Sequence, residues 1–104
     1  MAPTANCQVE AAVARFGGLD ILINNAGVGI FAPAAEMTAE QWATVIDTNL
    51  TGLFHACHAA IPALRQRGRG YIINISSLAG SNAFVGGAAY CASKAAVNAF
   101  TEAL

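Results

Sequence analysis

The sequence predicts an α/β fold organised around a parallel sheet, and three observations carry that expectation. Two short apolar runs, Leu19-Asp20-Ile21-Leu22-Ile23 and Tyr71-Ile72-Ile73-Asn74-Ile75, are rich in β-branched residues and bounded by turn-forming residues. A long helical pattern lies between them. Each run ends in a small polar cluster, Asn24-Asn25-Ala26-Gly27 after the first and Ser76-Ser77 after the second. A strand, a helical crossover and a second strand make a βαβ unit, which requires parallel strands and a right-handed connection.

The first element is a helix, because Val9, Val13 and Phe16 recur at helical spacing and Gly17-Gly18 stops them. The run at residues 19–23 is continuous rather than alternating, which predicts a strand buried on both faces. The crossover helix has an explicit start. Thr38 is placed as N-cap with Gln41 as its capping-box partner, and Met37 and Trp42 are placed to close a hydrophobic staple. Trp42, Val45, Ile46, Leu53, Cys57, Ala60 and Leu64 then form its apolar stripe, and Pro62 is expected to bend or end it. After the second strand a glycine-rich loop precedes a last helix, from about Ala89 to Leu104. No repeat, low-complexity tract or linker divides the chain, so it reads as one unit, residues 1–104.

Composition narrows the function classes. Of 104 residues, 56% are apolar and 11% charged, enough to fill a core and unlike a disordered tail. Five basic and six acidic residues leave a net charge of −1, which gives no basic face for nucleic acid. Arg65, Arg67 and Arg69 read as a solvated helix end whose cations suit a C-terminus. Cys7, Cys57 and Cys91 are odd in number and far apart, so neither a disulfide framework nor a metal site is indicated. His55 and His58 read as helix-surface residues. Inert thiols suit a reducing compartment, and a cytoplasmic protein is expected. The uncharged stretch from Gly70 to Ser93 contains too many serines, asparagines and glycines for the ~20 apolar residues of a spanning helix, so no membrane span is expected.

Four places carry residues suited to chemistry, and each has a plain structural reading beside the functional one. Tyr90 and Lys94 are four apart at a helix start and so share a face. A tyrosine hydroxyl, with a reference pKa of about 10, is a poor proton donor and acceptor at neutral pH, and an ammonium beside it favours the phenolate. The pair could therefore exchange a proton with an alcohol or carbonyl oxygen, or could be an amphipathic surface pair. Ser77, thirteen residues before Tyr90, stands at a strand's carboxyl end, where ligands of such sheets bind. Its hydroxyl could donate to a substrate oxygen; equally, Ser76 and Ser77 could satisfy backbone groups. Asn49 interrupts the apolar stripe, and a buried amide costs free energy unless its hydrogen bonds are made. It could tie backbone, hold a water for proton relay, or do both. In Asn24, Asn25, Ala26 and Gly27 small residues could admit a flat ligand close to the backbone, or could simply punctuate strand and turn.

Taken together, Asn24-Asn25-Ala26-Gly27, Asp47-Thr48-Asn49-Leu50-Thr51-Gly52, Asn74-Ile75-Ser76-Ser77-Leu78-Ala79-Gly80 and Tyr90-Cys91-Ala92-Ser93-Lys94 resemble the short-chain dehydrogenase/reductase family in order and spacing. The resemblance runs over residues 20–94. It implies a partial Rossmann-like, doubly wound parallel sheet and an NAD- or NADP-dependent oxidoreductase. The reaction implied is hydride transfer between nicotinamide and a small-molecule carbonyl or secondary alcohol. It implies that Tyr90 is the general acid/base and that Lys94 favours its phenolate while contacting the nicotinamide ribose. Ser77 would orient and polarise the substrate carbonyl, and Asn49 would hold the relay water. Asn24, Asn25, Ala26 and Gly27 would support the sheet and line the ribose. Homo-oligomers, dimers or tetramers built on the two long helices, are implied as well.

The sequence departs from the family pattern in one large respect. The family's glycine-rich TGxxxGxG turn, which holds the pyrophosphate, is not found here; Gly17-Gly18 and Gly27-Val28-Gly29 have the wrong context. The residue that selects NAD or NADP goes with it, and so do the strands that follow the last helix. Residues 1–8 match no recognised family feature. A catalytic segment whose isolated activity is doubtful is the expectation, with a non-catalytic oligomerisation or binding module as the alternative.

Overall fold

The computed structural model describes the backbone of residues 2–104 and the side chains from residue 8 onward. Among the described residues four α-helices and two strands follow in the order α1 (Ala2–Phe16), β1 (Ile21–Asn24), α2 (Ala39–Ile46), α3 (Gly52–Gln66), β2 (Tyr71–Asn74) and α4 (Ala88–Ala103). A π-helical segment, Asp47–Thr51, stands between α2 and α3, and a 3₁₀ turn, Leu78–Gly80, lies between β2 and α4. No helix among the described residues is long and apolar enough to cross a membrane. The chain resolves into two compact units: residues up to Asn25 with Gly52–Asn74, and Ala26–Thr51 with Ile75–Leu104.

The first unit holds the sheet. β1 and β2 pair in parallel, with Ile21 opposite Tyr71 and Asn24 opposite Asn74, so both strands end at the same level. Leu53, Cys57, Ala60 and Leu64 are buried on α3 at spacings of four, three and four, which is one helix face. α3 packs against α1 and against both strands. Asn24 ties these parts together: its Nδ2 donates to Asn74 Oδ1 at 2.8 Å and to Cys57 Sγ at 3.4 Å. Burial pushes the Cys57 thiol up from its usual range, with the Asn24 hydrogen bond opposing, so Cys57 stays a neutral, buried filler at neutral pH. Gly17 closes α1 with φ 84°.

The strands are not buried on both faces. Leu22, Asn24, Ile72 and Asn74 are half-buried, whereas Ile23 is 59% and Tyr71 68% exposed, with Ile21 and Ile73 beside them. The reason is one of cover. Asn24 reaches Cys57 of α3, so α3 lies on its face, and the residues that alternate with it point the other way.

The second unit forms around α4. Ala89, Ser93 and Val97, four apart, are buried along one face with Lys94, and α2 and the π-helical segment pack on α4. Val45 is fully buried, but Trp42 is 44% exposed and stands outside the stripe it was expected to open. The capping box at Thr38 forms in full: Thr38 Oγ1 accepts from Gln41 N, and Gln41 Oε1 accepts from Thr38 N, both at 3.0 Å. Thr38→Ala removes one of these bonds and should cost about 1 kcal/mol in urea unfolding. Pro62 does not end the helical run. It lies inside α3, which continues to Gln66, and the disturbance falls at Asp47–Thr51 instead.

Candidate active site

α4 carries Tyr90 and Lys94 one turn apart, and the rest of the second unit is arranged about Lys94. This lysine is 6% exposed. A buried ammonium needs hydrogen-bond acceptors, and its Nζ donates to the carbonyl of Ile75, the residue after β2, at 3.3 Å. The same Nζ stands 5.8 Å from the centroid of the half-buried Tyr90 ring. Gly27 lies on its other side. A Cβ added there would be 3.3 Å from Lys94 Nζ and 3.5 Å from Asn49 Oδ1. Gly27 is exposed, so its missing side chain keeps open an approach to an otherwise enclosed ammonium.

Asn49 is 1% exposed within the π-helical segment. Its amide behaves as a peptide group would in a sheet. Oδ1 accepts from Val28 N at 2.8 Å and Nδ2 donates to Val28 O at 2.9 Å, pinning the loop that leaves β1. Nδ2 also donates to Ser93 Oγ at 3.0 Å. Both amide protons and one Oδ1 lone pair are thus engaged by protein atoms. π-Helical turns are uncommon and cluster at functional sites, and here the turn turns Asn49 inward.

Ser93 was not among the residues singled out from the sequence, yet it links two that were. It accepts from Asn49, and its Oγ donates to the Tyr90 carbonyl at 2.8 Å. A serine three residues after Tyr90 in a helix, directly before Lys94, was the available signal; a hydroxyl bonding back to the preceding turn is common for mid-helix serine.

Both serines after β2 bond to backbone. Ser77 caps the 3₁₀ turn, its Oγ accepting from Ala79 N at 3.1 Å, so its own proton is left to donate. Ser76 Oγ donates to the Lys94 carbonyl at 3.3 Å, holding the segment after β2 against α4. The 3₁₀ turn lies equally close, since a Cβ at Gly80 would be 3.0 Å from the Lys94 carbonyl.

The structure therefore gathers Gly27, Asn49, Tyr90 and Lys94, with Ser77 held at the turn beside α4. Ala26 and Asn25 are exposed on the loop that leaves β1, and Asn24 belongs to the first unit, where its amide serves the sheet. Among the described residues no group of three His, Cys, Asp or Glu side chains is placed to hold a metal ion.

Residues 4–104 match the short chain dehydrogenase family. That match takes in residues 4–8, for which the sequence alone suggested no family feature. The chain is 46% identical over 91 residues to an acetoacetyl-CoA reductase of Shinella zoogloeoides, covering 88% of this chain and 38% of that protein. It is 44% identical over 89 residues to the NADP-dependent 3-hydroxy acid dehydrogenase YdfG of Salmonella typhi, covering 85% and 36%. Among solved structures, an NAD+-bound xylitol dehydrogenase superposes with a TM-score of 0.94 at 36% identity, covering 99% of this chain and 40% of that one. The chain thus spans about two fifths of the length of the relatives it matches. With its parallel strands, its four motifs in order and a family match over nearly its whole length, the chain belongs to the short-chain dehydrogenase family.

Proposed function

We propose that these residues form the proton-transfer half of an NAD- or NADP-dependent oxidoreductase acting on a small carbonyl compound or secondary alcohol. The observation that carries the reading is the enclosed Lys94 ammonium, 5.8 Å from the Tyr90 ring centroid, with Gly27 leaving the space beside it free of a side chain. Such an opening suits the ribose of a nicotinamide nucleotide, for which Lys94, Tyr90, Gly27 and the exposed Ala26 would be the holding residues. The bound nucleotide supplies or accepts the hydride.

The protein's part is the proton. In the direction of reduction, the Tyr90 hydroxyl gives its proton to the carbonyl oxygen as the carbonyl carbon gains hydride; in oxidation it takes the proton back. Lys94 keeps N–H groups beyond the one used on Ile75 and stabilises the tyrosinate left after transfer. Ser77, with one lone pair accepting from the Ala79 N–H and its own proton left to donate, donates to the same carbonyl oxygen and fixes its position. Asn49 retains one Oδ1 lone pair with which to hold a relay water, while its other bonds hold Val28 and Ser93 in place.

The test is cofactor titration of these 104 residues, alone and joined to a preceding strand and TGxxxGxG turn. Alone, the chain offers ribose and nicotinamide contacts without a glycine-rich helix start for the pyrophosphate. Binding should be weak, with Kd on the order of mM, near −4 kcal/mol. The joined form should bind in the micromolar range and turn over ketones. A joined form that folds yet shows no cofactor-dependent turnover overturns the proposal.

A non-catalytic binding module is the second reading, favoured by the exposed apolar face of Ile21, Ile23, Tyr71 and Ile73. It requires that nothing but packing depend on the Tyr90 hydroxyl.

A further inference from the structure

Three aromatic rings form a row in the second unit, and Tyr90 is one end of it. The Phe31 ring lies 5.6 Å from that of Tyr90 and 6.0 Å from that of Phe84, tilted by 59° and 33°. These are the separations that aromatic pairs prefer. The two phenylalanine rings are far from buried, Phe31 being 59% and Phe84 49% exposed.

Two glycines make room for these rings. A Cβ at Gly29 would stand 2.6 Å from Phe31 Cζ, and one at Gly87 2.5 Å from Phe84 Cε2, so any side chain at either position would displace a ring. The two loops are also joined to each other. Ala32 N donates to Gly86 O at 2.9 Å, and Gly86 holds φ 87°, a conformation open chiefly to glycine. The chain therefore fixes two half-exposed rings beside the hydroxyl-bearing residue by backbone contact. Hydrophobic burial does not account for rings so open to solvent.

Charge sharpens the point. Residues 26–35 and 75–93 contain no Asp, Glu, Lys or Arg, so the loops that carry this row offer no counter-ion to a carboxylate or phosphate.

We infer that Phe31 and Phe84 are specificity residues that receive a neutral aromatic group attached to the carbonyl carbon, so that aryl ketones and the corresponding benzylic alcohols are the preferred substrate class. The inference rests on the proposed role of Tyr90 at the carbonyl oxygen. An aryl ring bound to that carbon continues the row from Tyr90 along Phe31 towards Phe84, with edge and face contacts at both. A keto acid would place its carboxylate on the same uncharged surface at a desolvation cost.

Ligand-detected NMR with the folded chain tests this with three probes: acetophenone, butanone and acetoacetate. Acetophenone should bind at least about tenfold more tightly than either of the others, the scale of one aromatic contact with its buried area. Phe31→Ala should erase that preference while leaving butanone unchanged, and Phe31→Tyr should keep it. Should Phe31→Ala lose its helical circular dichroism, Phe31→Leu serves in its place, being apolar but without a ring. Equal affinities, a preference for acetoacetate, an unaffected Phe31 variant or no binding of acetophenone each overturn the inference. Tyr90→Phe separates this inference from the reading beneath it. It should keep the preference for acetophenone while losing turnover, whereas selective binding by a parent protein that never turns over, even when joined to a glycine-rich turn, would sink the dehydrogenase role of Tyr90 and leave the aryl subsite standing.

Discussion

Tyr90→Phe should lower turnover by at least about a hundredfold, the lower end of what a positioned proton donor contributes, while NAD or NADP affinity stays within a factor of two or so. The substitution is clean because the ring has structural work that phenylalanine can do. It packs at 5.6 Å from Phe31 and lies 5.8 Å from the Lys94 ammonium, and both contacts involve the ring and not the hydroxyl. Only the exchangeable proton is lost. In steady-state assays of the form joined to a glycine-rich turn, kcat and kcat/KM should therefore fall together, the pattern of an interaction made in the transition state. Turnover retained within a few-fold of the parent would remove Tyr90 from the mechanism and favour the binding-module reading.

Asn49→Leu carries the largest stability effect expected in the second unit. Leucine suits the buried stripe by size and polarity, so a sequence-level view would score the change as favourable. It deletes three hydrogen bonds at once, to Val28 N, Val28 O and Ser93 Oγ. Leaving buried partners unpaired costs about 1–3 kcal/mol each. Val28 is 38% exposed, so water can recover part of this, and a net loss of about 3 kcal/mol is expected. Ser93→Ala removes the Asn49 bond and the link to the Tyr90 carbonyl but frees no backbone of the Val28 loop. It should cost about 1 kcal/mol. Urea unfolding of the three proteins side by side is the measurement. An Asn49→Leu loss no larger than that of Ser93→Ala would mean that Val28 does not depend on the amide.

The contrast between these residues shows which parts of the protein could be read from its sequence. Thr38 and Gln41 announce a helix start because both bonds of a capping box close within four residues. The parallel strands follow from two apolar runs separated by a crossover too long for a hairpin. Tyr90 and Lys94 share a face because four residues are about one helical turn. Asn49 stood out as a polar residue in an apolar stripe, but its partners did not. Val28 is 21 residues away and Ser93 is 44. The same limit explains where the helical run departs from α geometry. Pro62 is a local helix breaker on paper, yet α3 continues past it, whereas Asp47–Thr51 takes the π form around an asparagine whose bonds all lie outside its own helix.

Burial was the other blind spot. Trp42 and the alternate strand residues Ile23 and Tyr71 are apolar, and periodicity assigned them to the interior, but they are 44%, 59% and 68% exposed. An apolar pattern states which residues can be buried and leaves open what is there to cover them. By itself the sequence determined the elements, their order, the parallel sense of the strands and the residue types suited to proton transfer, since these depend on chain-local spacing and on motif order. Tertiary structure alone decided which face of the strands is covered, that Asn49 pairs with Val28 and Ser93, that Gly27 opens onto Lys94, and that Phe31 and Phe84 align with Tyr90. Each of those depends on contacts between residues distant in the chain, whose energies no local pattern records.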